Sequence, residues 1–173
     1  MIITKPTVAE YEGHFGTYIN KVLDNDLLQI LNADMQAFTD FINSLPTSKH
    51  DYRYAEGKWT IKEIITHLTD AERIFAYRAL RFARNDKTEL PGFEENDYVP
   101  QSNAANRSIE SLVAEYKAVR QATITLFESF TPDMCLLMGT ASGMQISVRA
   151  LGYIIAGHTL HHQQVIRQRY LVN

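Results

Sequence analysis

Four long stretches of this chain repeat apolar residues at intervals of three and four, the spacing that lines one face of an α-helix. The first runs from about Asp26 to Ser44, with Leu27, Ile30, Leu31, Met35, Phe38, Phe41, Ile42 and Leu45 recurring along it. Pro46 follows where a helix stops. The second, about Thr60 to Arg84, carries Ile61, Ile64, Ile65, Leu68, Ala71, Phe75, Ala79 and Phe82. Its start is signed twice. Thr60 with Glu63 makes a capping box, and Trp59 with Ile64 takes the positions of a hydrophobic staple. The third runs from about Ser108 to Phe130 ahead of Pro132, and the fourth from Ser147, at an N-cap position, to about Tyr170. A shorter apolar stretch, Phe15 to Leu23, adds a helical turn or two, and strand-type alternation is scarce. Four amphipathic helices in a chain of 173 residues bury their stripes against one another most simply as an all-α four-helix bundle, a single domain over residues 1–173.

The connection between the second and third helices, Asn85 to Arg107, is about 23 residues, well beyond the usual few. Extended at about 3.3 Å per residue, it can run the length of a helix and let helices 2 and 3 lie parallel. A surface loop fits the same length equally well.

Composition removes several function classes. A single cysteine, Cys135, excludes a disulfide scaffold, a cysteine zinc finger and an iron–sulfur site, and is expected to be a packing residue. With 17 basic and 20 acidic residues there is no basic field for nucleic acid or an anionic membrane. No apolar run approaches the roughly 18–20 residues of a membrane span, since charges such as Arg149 interrupt each candidate. Met1 to Tyr11 lacks the apolar centre of a signal peptide, so the cytoplasm is the expected location.

Six histidines are the remaining oddity, three of them within five residues in the fourth helix. His158 and His162 stand four apart, stacked on the apolar, core-facing stripe. Two such imidazoles can share one divalent ion, each giving a neutral nitrogen at about 2.0–2.1 Å. Left without an ion, each ring needs a hydrogen-bond partner in low dielectric. His67, in the middle of the second helix on its apolar stripe, is the candidate third ligand; taken alone it also reads as a buried histidine bonded to a carbonyl. His161 reads as a neighbour of the site or as exposed, and His14 and His50 fall in poorly patterned segments. A zinc protease needs Glu directly after the first histidine, where this chain has Thr159. Carboxylate-rich di-iron motifs are also missing. A mononuclear three-histidine site is left.

These residues resemble a known family. The run Tyr52-Arg53-Tyr54-Ala55-Glu56-Gly57-Lys58-Trp59-Thr60-Ile61-Lys62-Glu63, followed by His67-Leu68, is similar to the DinB-like superfamily. So are Ile154-Ile155-Ala156-Gly157-His158 with His162, the stretch Arg73 to Lys87, and Leu90-Pro91-Gly92-Phe93. The resemblance implies a four-helix bundle in up-down-down-up order. It also implies one zinc or nickel ion on three histidines with water completing the shell, and a homodimer. Family members include bacillithiol S-transferases, a mycothiol-dependent isomerase and metal-dependent hydrolases, and they are not polymerases.

An open three-histidine site suits two reactions on a small-molecule substrate: hydrolysis by metal-activated water, or transfer of a low-molecular-weight cellular thiol bound as thiolate. The ligands do not choose between them, and a non-catalytic, stress-associated metal-binding bundle is the third possibility. Glu72 and Asp70 are near enough to His67 in sequence to be candidate general bases, though both also read as solvated. Arg73, Arg78, Arg81 and Arg84 can recognise an acidic substrate or be salt-bridged, partly to Glu94, Glu95 and Asp97. Tyr52, Tyr54 and Trp59 are explained by loop packing and the staple, or line a pocket mouth.

Overall fold

A computed structural model describes residues 2–23 and 26–172. The four expected helices are present: α1 (Leu27–Asn43), α2 (Ile61–Ala83), α3 (Ile109–Glu128) and α4 (Val148–Val165). Their starts follow local chemistry. Thr60 Oγ1 accepts the Glu63 amide at 3.1 Å, and the Glu63 carboxylate accepts the Thr60 amide at 2.7 Å. Ser108 and Ser147 cap α3 and α4 in the same way, taking the amides of Ser111 and Ala150. The fourth helix changes character near its end, where Ile166–Tyr170 forms a π-helical turn. There Tyr170 donates its hydroxyl to the Trp59 carbonyl at 2.6 Å, tying this end of the chain to the start of α2.

Contacts between named residues set the direction of each helix. Lys62 bonds the Ala105 carbonyl just ahead of α3, and Arg73 pairs with Glu115 further along, so α2 and α3 run parallel. Asp34 meets Arg120 while Phe38 packs on Tyr116, so α1 opposes α3. Trp59 meets Tyr170 while His67 meets His158, so α4 opposes α2. The order is up, down, down, up. The connection between α2 and α3 therefore returns along the bundle. It is built rather than loose: the Leu90 amide donates to Thr140 and its carbonyl accepts from Ser142, each at 3.0 Å, and Glu95–Tyr98 forms a short helix.

Two elements depart from the helical reading. Met138–Ala141 (β1) and Met144–Ser147 (β2) pair as an antiparallel hairpin, turned by Ser142 and Gly143, both at positive φ. β2 leads straight into α4. Residues 3–21 then lie along α4: Tyr153 donates to the Ile3 carbonyl at 3.2 Å, Arg149 to Glu10 at 2.7 Å, and Lys21 to Gln164 at 3.0 Å. Among the described residues, no helix is long and apolar enough to cross a membrane.

The apolar interior falls into two clusters, one around Leu27, Leu31, Phe75, Phe82, Phe127 and Ile155, the other around Phe38, Ile42, Ile65, Leu68, Tyr116 and Ile166. Between them sits a polar layer, with one residue from each helix. Arg120 of α3, 0% exposed, donates to Glu72 of α2 at 2.8 Å, to Asp34 of α1 at 2.8 Å and to Thr159 of α4 at 3.0 Å. Burial works against this charge, and Tyr116, Glu72 and Asp34 more than restore it.

Replacing Arg120 with Leu strands the Glu72 and Asp34 carboxylates in the core. The expected cost is about 3–5 kcal/mol of unfolding free energy, read from the denaturant midpoint. Glu10 gives a pH test. Partial burial raises its pKa, but hydrogen bonds from Arg149, the Thr7 amide and Ser147 outweigh this and hold it at about 2, against an ordinary 4.5. The stability it contributes is complete above pH 4.5 and is lost as pH falls toward 2. Glu10→Gln should therefore melt lower than the parent protein at pH 6, with the gap closing at pH 2.

Candidate metal centre

His67 sits two turns into α2 and His158 and His162 face it from α4, on the inward stripes that antiparallel packing brings together. Nε2 of His158 lies 3.0 Å from Nε2 of His67 and 3.1 Å from Nε2 of His162. One donor nitrogen from each of the three lies within 4.8 Å of the others. Hydrogen bonding alone does not account for this. Nε2 of a neutral ring carries either one hydrogen or one lone pair, so that of His158 can make a good bond to one of its two neighbours but not to both. Burial pushes His67 down to about 4, and burial with the neighbouring imidazoles pushes His158 and His162 well below the ordinary histidine value. All three are neutral at pH 7, which is the form that binds a metal. Two nitrogens on one ion at about 2.0–2.1 Å cannot be more than about 4 Å apart, and the two short separations meet this limit. The residues fit a divalent ion.

Aromatic packing holds the rings. Trp59 lies 4.6 Å from His67 and stacks on His162 at 6.2 Å, so its role extends beyond the helix staple. Tyr18 meets His158 edge-on at 5.1 Å and His161 at 5.6 Å. That approach needs Gly157, because a Cβ there would overlap the Tyr18 carbonyl. The N-terminal segment thus forms one wall of the site.

The three histidines open onto a cavity of about 490 Å³. Its walls come from α2, α4, the N-terminal segment, the 85–107 connection and the tip of the hairpin. Neither sequence-suggested carboxylate reaches it. Glu72 is buried against Arg120, and Asp70 pairs with Arg73 at 3.2 Å. The wall instead carries His14, Glu95 and His161. His14 and Glu95 carry no periodic signal, and only the fold places them here. His161, adjacent to the His158 and His162 stripe, was legible as a neighbour. Cys135 is buried away from this cavity, with burial raising its thiol pKa.

A family profile described as the DinB superfamily matches residues 30–166. The chain belongs to the DinB superfamily. It is 23% identical over 124 residues to an Oceanobacillus iheyensis protein provisionally named a metal-dependent hydrolase, covering 70% of each chain. It is 28% identical over 78 residues to a Geobacillus thermodenitrificans protein with the same provisional name, covering 45% of this chain and 44% of that one. Among solved structures it is similar to YfiT from Bacillus subtilis, described as a probable metal-dependent hydrolase with an unusual four-helix bundle topology. The TM-score is 0.70 at 15% identity, over 82% of this chain and 85% of YfiT, a likeness of fold.

This DinB-superfamily site depends on the close approach at Gly157. Gly157→Ala should cost about 1–3 kcal/mol by pushing the Tyr18 backbone away. Faster amide exchange at residues 16–19, with α1 to α3 unchanged, is the expected signature.

Proposed function

We propose that the protein is a metal-dependent hydrolase of a small-molecule substrate, holding one divalent ion on His67, His158 and His162. Zinc or nickel suits three imidazoles. The observation that carries this reading is the convergence of three neutral ring nitrogens on the wall of an open cavity. Three protein ligands beside such a space are the pattern of catalytic rather than closed structural sites. The provisional names of the two relatives and the description of YfiT point the same way. Bound here, a divalent ion would lower the pKa of water and polarise a carbonyl or phosphoryl oxygen.

The chain's own groups supply the rest. Burial, then the nearby Glu95 charge, raises the Tyr18 pKa, so its hydroxyl stays protonated and can donate to a substrate oxygen. His161 is held neutral, its pKa lowered by burial and by Lys21, and its ring lies 5.1 Å from His162. It is placed to accept a proton. Thr159, which occupies the position of a zinc protease's general base, is bonded to Arg120 and serves the scaffold. Trp59 shields the ligand rings.

The test pairs metal content with turnover. The parent protein should bind about one zinc per chain and His162→Ala none at stoichiometric level, by elemental analysis after dialysis. Full zinc content in that variant would remove the site assignment. Zinc-loaded protein should cleave activated esters or amides without added thiol. Turnover that requires a cellular thiol would make the protein a transferase, and silence under both conditions would leave a metal-binding role.

A further inference from the structure

The four arginines of α2 do not share one fate. Arg73 pairs with Asp70 and Glu115, Arg81 pairs with Asp86, and Arg84 is exposed. Arg78 differs from all three. It is 3% exposed, and among the described residues no carboxylate forms an ion pair with it. Its protein partners are the Pro91 carbonyl at 2.9 Å and Ser142 Oγ at 3.0 Å, both on the same terminal nitrogen, Nη2. A guanidinium has five N–H donors, so Nε and the other terminal nitrogen retain unused ones. Burial opposes its charge and lowers its pKa from the ordinary arginine value. A buried cation without a counter-ion is costly unless something else supplies the negative charge.

Its position says where that charge belongs. Arg78 follows His67 by eleven residues, about three helical turns, so the two lie on one face of α2 about 16 Å apart along the axis. Both line the same cavity. Phe75 lies between them, its ring 6.3 Å from that of His158 and 5.7 Å from the guanidinium. The space therefore has a histidine end, an apolar floor and a cationic end. Glu95, the carboxylate in the lining, forms no ion pair with Arg78 among the described residues. The cationic end is also fixed from outside α2. Pro91 belongs to the long connection and Ser142 to the hairpin turn, where it holds a positive φ.

We propose that Arg78 is the anion receptor of this cavity and that the substrate is a small carboxylate-bearing molecule. Its cleavable bond lies at the histidines, a short apolar spacer crosses Phe75, and its carboxylate forms a forked pair with Arg78. The position of the cleavable bond rests on the hydrolase reading above; the anion site does not.

The probes are two anilides of equal chain length: glutaranilate, which ends in a carboxylate, and valeranilide, which ends in a methyl group. Calorimetric titration of the zinc-loaded protein should show glutaranilate binding at least about tenfold tighter. Arg78→Met should abolish that preference with zinc content unchanged. Arg78→Gln, which keeps an N–H donor for Pro91 and Ser142 without the charge, should abolish it too and serves if the Met variant does not fold. The preference should persist in His162→Ala. Equal binding of the two probes by the parent protein, or a preference retained in either Arg78 variant, would overturn the proposal. A carboxylate preference without cleavage of glutaranilate or of its activated ester would sustain the anion site and count against the hydrolase reading. Cleavage without preference would do the reverse.

Discussion

One guanidinium joins the whole bundle. Arg120 is surrounded by bonds to α1, α2 and α4 at the level where the two apolar clusters meet. Apolar stripes attract one another with little directional preference and tolerate sliding by a turn. A buried charge with fixed partners does not, since any other register leaves carboxylates or N–H groups unpaired in low dielectric. The polar layer therefore acts as a register pin. It sets which turn of α2 faces which turn of α4, and Thr159 and Glu72 lie one and five residues from the clustered histidines.

That coupling explains why the histidine cluster can be built on helices with no help from a dedicated loop. The ring positions follow from helix register, and the register follows from the layer one turn away. Aromatic contacts from Trp59 and Tyr18 then limit ring rotation. Further walls come from the connection and the hairpin. The helices place the histidines, and the connection and hairpin bond the Arg78 side chain.

Periodicity made the four helices, their caps and the inward placement of His67, His158 and His162 legible, because each depends on spacing within one helix. The hairpin was hidden, since strands of four residues are too short to show alternation and Ser142-Gly143 is a weak turn signal. The fate of Glu72 was hidden for another reason. Its partner is 48 positions away on a different helix, and no local pattern distinguishes a solvated glutamate from a paired one. Arg78 was only half legible. Asp70 stands three residues before Arg73, and no carboxylate lies within four positions of Arg78. Only the folded connection and hairpin show what Arg78 does meet. The long connection itself was ambiguous in length alone, and the parallel pairing of α2 with α3 resolves it.

The docking of the N-terminal segment on α4 has a kinetic consequence. Ile3, Glu10 and Lys21 meet partners 139 to 150 positions later in the chain. Contacts that distant close large loops, and their entropy is lost before the contact gives anything back. A helical bundle with short connections folds from local contacts, whereas this one must wait for its last helix before its earliest residues have a place to bind. The wall at Tyr18 is then among the last parts of the site to form, and the histidines stay open to solvent until it does.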